Sequence, residues 1–126
     1  LGMCYFVFAS RGYFPHTLVP SLVESALGWK TSLWELMKMA ERGLTATRLV
    51  NLKLGFSEKD DVLPGRLFEP IPEGPLEGKS VPEGDFWKAR DLYYQFLGWD
   101  IRGIPSEAKL IELGLGSWVP ILGEIS

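Results

Sequence analysis

One cysteine, Cys4, and one histidine, His16, are the whole thiol and imidazole inventory of this 126-residue chain. A lone thiol excludes an internal disulfide and suits a reducing, cytoplasmic setting. With one of each, the chain has no zinc-ligand spacing. It also has no nucleophile–base set and no phosphate-cradling glycine loop, so a small independent enzyme is not expected. Cations are not in excess: 13 Lys and Arg face 16 Asp and Glu, a net charge of -3. That balance leaves no electrostatic footprint for nucleic acid. No apolar run reaches the roughly 18 residues of a membrane span. The longest near the start, residues 1–10, is short and lacks a basic flank, so it does not read as a signal peptide.

What is present is apolar and aromatic. Hydrophobic residues make up 46% of the chain, with five Trp and seven Phe, which excludes disorder. A chain of this length can bury roughly two thirds of its unfolded surface. The aromatic load exceeds what one small core needs, and partner domains would account for it. The opening on Leu1 rather than Met reads as a fragment, an incomplete gene model or a processed product.

The periodicity predicts an all-α chain. Residues 5–13 are aromatic and ambiguous between strand and helix. Thr17 is placed to cap a helix ending at Leu27, with Pro20 in its first turn and Gly28 as a left-handed stop. Ser32-Leu33-Trp34-Glu35 is a capping-box pattern that opens a helix to about Leu54. Leu33, Leu36, Met37, Ala40, Leu44 and Thr47 form its expected inner stripe, with Arg48 off it. Gly55 ends that helix, with Phe56 folding back on its last turn. Residues 62–84 carry five prolines and four glycines and predict a long connection wrapping over a larger body. Asp85 is the expected cap of a helix from Phe86 to about Leu97. Its inner stripe is Phe86, Ala89, Tyr93, Phe96 and Leu97, with Arg90 and Gln95 outward and Gly98 as the stop. Ser106 starts a short last helix, Glu107 to Leu113, stopped by Gly114. Leu-Gly-Trp recurs at residues 27–29 and 97–99 and reads as shared cap chemistry.

Few residues invite chemistry. A lone cysteine after an apolar pair reads, from the residues alone, as a small buried hydrophobe. A [4Fe-4S] cluster needs four thiolates, so this chain cannot hold one alone. Asp60 and Asp61 are adjacent on a loop and point apart. They read as a capped turn near Lys59 and Arg66 rather than as a catalytic pair. Arg42, Arg48, Lys53 and Arg66 can be read as an anion site, but the neighbouring acids favour internal pairing. His16 reads as a helix-flanking residue without a role. The tryptophans lack a basic groove and read as packing.

The run from Glu41 to Pro70 joins a helix carrying spaced cations, a Gly-Phe stop, a paired acid and a Leu-Pro-x-Arg turn. In that order it resembles the C-terminal helical region of the tungsten-pterin aldehyde:ferredoxin oxidoreductase family. Gly28-Trp29, Tyr93-Tyr94, Gly98-Trp99-Asp100 and Gly103-Ile104-Pro105 extend the likeness along nearly the whole chain. Departures cluster on the long helix: Ala40 for a usual glycine, Gly43 to Ala46 for a larger segment, Lys53 for a usual arginine. Leu1-Gly2-Met3-Cys4 is similar to the end of the family's Asp-x-x-Gly-(Leu/Ile)-Cys motif. The resemblance thus implies that Cys4 is the fourth thiolate of a [4Fe-4S] cluster in the complete enzyme. It also implies that Leu1, Gly2 and Met3 offer backbone contacts to the pterin. A glycine suits close backbone approach to a cofactor.

The implied enzyme oxidises an aldehyde to a carboxylic acid and passes electrons through the cluster to ferredoxin, using a tungsten (or molybdenum) bis-pterin. Residues 1–116 would be its C-terminal helical domain, with 117–126 an unassigned tail. The isolated chain would be inactive and cofactor-free, would be partnered by the remaining domains, and would self-associate through uncovered apolar surface. The other reading is a stand-alone helical protein-interaction module without catalysis.

Overall fold

The computed structural model describes residues 15–125, so Leu1, Gly2, Met3, Cys4 and the ambiguous stretch 5–13 lie outside the described residues. The described chain is all-α. A 3₁₀ turn, His16–Leu18, leads into α1 (Val19–Leu27). Then come α2 (Leu33–Lys53), a 3₁₀ turn at Gly65–Leu67, α3 (Glu83–Phe96) and α4 (Glu107–Glu112). A 3₁₀ segment, Gly116–Ile121, and α5 (Leu122–Ile125) complete it. The one extended pairing among the described residues is an isolated antiparallel bridge between Trp99 and Pro105.

The helix ends follow local chemistry. At the start of α2 the Ser32 N–H donates to the Glu35 carboxylate at 2.7 Å, and the Glu35 N–H donates to Ser32 Oγ at 3.2 Å. That is the reciprocal capping box. These bonds hold the Glu35 carboxyl below its usual pKa, with the Ser32 hydroxyl as the first cause. Ser106 Oγ accepts from the Lys109 N–H at 3.2 Å and caps α4. The four expected stops, Gly28, Gly55, Gly98 and Gly114, all have positive φ. Three of them close the same way, the residue after the glycine donating to the carbonyl five residues back: Phe56 to Asn51, Trp99 to Tyr94, Leu115 to Leu110. This is the Schellman closure.

Three expected starts and caps differ. α1 is entered through the 3₁₀ turn with Leu18 at its cap and no side-chain bond, so Thr17 does not cap it. α3 begins at Glu83, after Pro82, and Asp85 lies inside its first turn. The two Leu-Gly-Trp stops are unlike. The Gly28 N–H reaches Glu24 at 2.8 Å and Trp29 stays 45% exposed, whereas Trp99 closes the six-residue bond and is 8% exposed.

The chain divides into two compact units, residues up to Leu44 and residues from Thr45 onward. In the first, Val23 and Leu36 are buried. In the second, Leu49, Leu110, Leu113 and Leu115 form the apolar core, against which Ala46, Trp118, Val119, Leu122 and Ile125 pack. Four of those flanking residues come from the terminal stretch read as an unassigned tail. That stretch therefore closes the core. The Pro/Gly-rich connection closes on itself: the Ile71 N–H donates to Lys79 and the Gly78 N–H to Ile71, both at 2.9 Å. The Val81 N–H donates to Leu67 at 2.9 Å, and residues 71–80 are all exposed.

The buried faces of two helices differ from the expected ones. In the second unit the buried stripe of α2 is Thr45, Arg48, Leu49 and Leu52, one step round from the expected one; Met37, Leu44 and Thr47 are exposed. In α3 the inward residues are Phe86, Arg90, Tyr94 and Leu97, while Ala89, Tyr93 and Phe96 face out. Arg90, expected outward, donates to the Glu58 carbonyl at 3.2 Å.

Candidate functional site

The densest polar constellation among the described residues lies in the second unit, around Arg48. α2 carries this guanidinium inward between Thr45 and Leu49. Its Nη1 lies 2.7 Å from the Asp61 carboxylate, and its Nε donates to the Gly103 carbonyl at 2.9 Å. Nη2 reaches the Arg102 carbonyl at 3.3 Å. Its central carbon sits 5.6 Å from the ring centres of both Tyr94 and Trp99, within cation–π range. The Tyr94 hydroxyl donates to the same Asp61 carboxylate. Arg90 flanks the group, 4.7 Å from the Trp87 ring centre and 5.5 Å from that of Tyr94.

The carbonyls that receive Arg48 are presented by a tight turn. Asp100 Oδ1 accepts from the N–H groups of Arg102 and Ile104, each at 2.9 Å, and the Gly103 N–H donates back to the Asp100 carbonyl. Gly103 has φ +71°, and a Cβ there would meet Tyr94 Cζ at 2.9 Å. Only glycine allows that turn so close to the guanidinium and the ring. Two polar atoms nearby in sequence, Thr45 Oγ1 and Trp99 Nε1, are buried without a partner.

This arrangement positions but does not react. It offers a cation that is permanently charged, a carboxylate committed to two donors, and a phenol whose proton is held. Loss of solvation, and then the Asp61 hydrogen bond, push the Tyr94 phenol up from 10.0 to about 12. Because the folded value is raised, its stabilising contribution is complete below pH 10 and is lost as pH rises toward 12. An ultraviolet absorbance titration should show one phenol ionising late, together with unfolding. Tyr94→Phe should remove that late step; a wild-type titration with every tyrosine ionising at its ordinary value would contradict it.

The residues marked from sequence fall in different places. Asp60 accepts from the Ser57 N–H at 2.8 Å and caps a turn, as expected. Asp61 is also structural, but its partners are Arg48 and Tyr94, not Lys59 or Arg66. Of the four spaced cations, the three in the second unit do not converge. Arg48 is buried, Lys53 meets Glu124 at 3.1 Å on the surface, and Arg66 lines a shallow groove with Leu67, Ile71, Lys79 and Val81. His16 opens the first 3₁₀ turn and is exposed. Cys4 and Leu1 to Met3 lie outside the described residues. Among the described residues no cluster of three or more His, Cys, Asp or Glu side chains is arranged to hold a metal. None of their helices is long and apolar enough to cross a membrane. The sequence reading missed the Tyr94–Arg48 pairing. Its signal was a register one: Arg48 sits three residues after Thr45 and four before Leu52, on the buried stripe.

Comparison with known proteins adds the context. A family model described as aldehyde ferredoxin oxidoreductase, domains 2 and 3, matches residues 1–115. A tungsten-containing aldehyde ferredoxin oxidoreductase from Pyrococcus horikoshii is 40% identical over 116 residues, covering 90% of this chain and 18% of the relative. The protein of the same description from Pyrococcus abyssi is 38% identical over 120 residues, covering 94% and 19%. An aliphatic sulfonate oxidoreductase, WOR-like subunit, from Pyrococcus furiosus is 45% identical over 58 residues, covering 46% of this chain and 9% of that one. The chain thus spans about a fifth of the length of the relatives it matches throughout. The motif string from the long helix through the Gly103 turn lies inside the matched residues, and this chain belongs to the aldehyde ferredoxin oxidoreductase family.

Proposed function

We propose that these 126 residues are the C-terminal helical portion of an aldehyde:ferredoxin oxidoreductase. The match over residues 1–115, with relatives 38–40% identical across nine tenths of the chain, carries this reading. The complete enzyme takes an aldehyde and water to a carboxylic acid, releasing two protons and two electrons. The electrons leave singly through a [4Fe-4S] cluster to ferredoxin. A tungsten bis-pterin, when bound, supplies the redox chemistry.

This chain's own contribution is narrower. Cys4 is one of four thiolates, and the single cysteine fits that role and no larger one. Leu1, Gly2 and Met3 present backbone to the pterin, with Gly2 removing the Cβ that would hinder approach. The Arg48 node holds the 57–61 turn and the 100–104 turn on the helices. Residues 1–116 form the domain that covers the cofactor and lines the substrate's path, and 117–126 seal its core.

Elemental analysis of the complete polypeptide tests the reading. Tungsten and iron are expected, with aldehyde-dependent reduction of ferredoxin. The 126-residue chain alone is expected to turn over nothing. A complete polypeptide that folds and is metal-free would instead favour the interaction-module reading.

A further inference from the structure

Helix α2 runs unbroken for 21 residues, yet the two compact units part inside it, between Leu44 and Thr45. Burial follows the same division. Leu36 is buried in the first unit, and Thr45, Arg48, Leu49 and Leu52 are buried in the second. Residues 37–44 lie between them, about two turns of helix, without one buried side chain. Arg42, Gly43 and Leu44 are exposed in succession. Tertiary packing supplies most of a helix's stability, so this stretch rests chiefly on its own backbone bonds. The Lys38–Glu41 ion pair, 2.8 Å long, ties only the turn before Gly43.

Gly43 sits in that stretch without the usual reasons for a glycine. Its φ is not positive, unlike those of the four stops. Among the described residues, a Cβ at Gly43 would meet nothing within 4 Å, whereas one at Gly103 would strike Arg48 and Tyr94. Alanine would fit at position 43 and would favour the helix. What the glycine contributes instead is backbone freedom, and glycines are among the few identifiable places where helices bend sharply.

We propose that residues 42–44 are a flexure built into α2. There the helix opens locally, and its two halves, each held by its own unit, open and close separately. The main-chain bonds at stake are those donated by the N–H groups of residues 44–47, which span this point. The inference is read from α2 alone and does not rest on the family reading.

Native-state hydrogen exchange on the complete polypeptide, followed through increasing denaturant, tests it. The amides of residues 44–47 are expected to exchange about tenfold faster than those of 49–52, with a separate dependence on denaturant on each side of Gly43. Gly43→Ala is expected to slow exchange at 44–47 about fivefold, the factor that the glycine–alanine difference in helix propensity implies, and to leave 49–52 unchanged. One rate and one denaturant dependence along the whole of α2 overturns the proposal. So does a Gly43→Ala effect that is absent at 44–47 or spread evenly over the helix, the second being general stabilisation rather than a local opening. A lowered melting temperature in Gly43→Ala also overturns it, because the glycine then makes room for a close neighbour. Metal content does not enter any of these readouts, so their failure and that of the family reading are told apart.

Discussion

Replacing Arg48 with methionine is expected to destabilise the second unit by about 3 kcal/mol, the low end for breaking a buried ion pair. The substitution keeps the apolar stem and removes the fork. The Gly103 carbonyl loses its 2.9 Å donor, and Asp61 loses its 2.7 Å partner. Asp61 is 35% exposed, so water recovers part of its loss, which is why the low end applies. The carbonyl is enclosed by Gly103's own turn and has no such relief. Arg48→Lys restores the charge but not the planar fork, and is expected to recover only part of the loss. Denaturant melts of both variants measure this. A double-mutant cycle with Asp61→Asn should return a coupling well above that of an exposed pair. A midpoint unchanged in Arg48→Met would show that the guanidinium is ornamental and that aromatic packing alone holds the two turns.

The second large effect concerns Cys4. On the proposed reading, Cys4→Ser and Cys4→Ala in the complete polypeptide are both expected to lower iron from about four atoms per chain to three or fewer, because a [4Fe-4S] cluster needs four thiolates. Ferredoxin reduction should fall with the iron, and the spectroscopic signature of the reduced four-iron cluster should disappear. The pair of variants separates the two readings of this residue. A cysteine that merely fills apolar space tolerates alanine at a cost of about 1 kcal/mol, with iron retained. Full iron in Cys4→Ala would therefore remove Cys4 from the cluster.

Much of this protein was legible before any coordinates. Ser32 with Glu35, Ser106, and the glycines at 28, 55, 98 and 114 each declare a helix end, because a cap is a contact between residues a few positions apart. The family was legible for a similar reason: the Leu-Pro-x-Arg and Gly-Ile-Pro turns are short strings with narrow backbone demands. Residues 117–126 resisted, since their role is to lay Trp118 and Val119 on leucines that belong to other helices.

Local sequence thus determined where the glycine-stopped helices end and where α2 and α4 begin, that the chain is all-α, and which family it belongs to. Tertiary structure decided which way each helix faces. α3 carries apolar residues on both sides, and its pattern alone placed Tyr93 inward. Tyr94 lies inward because Arg48 and Asp61, distant in sequence, meet its ring and its hydroxyl there. Arg48 itself looked like a surface cation until Asp61 and the Gly103 carbonyl were brought beside it. A buried charge is tolerable only where its partners assemble around it, and long-range folding alone brings those partners together.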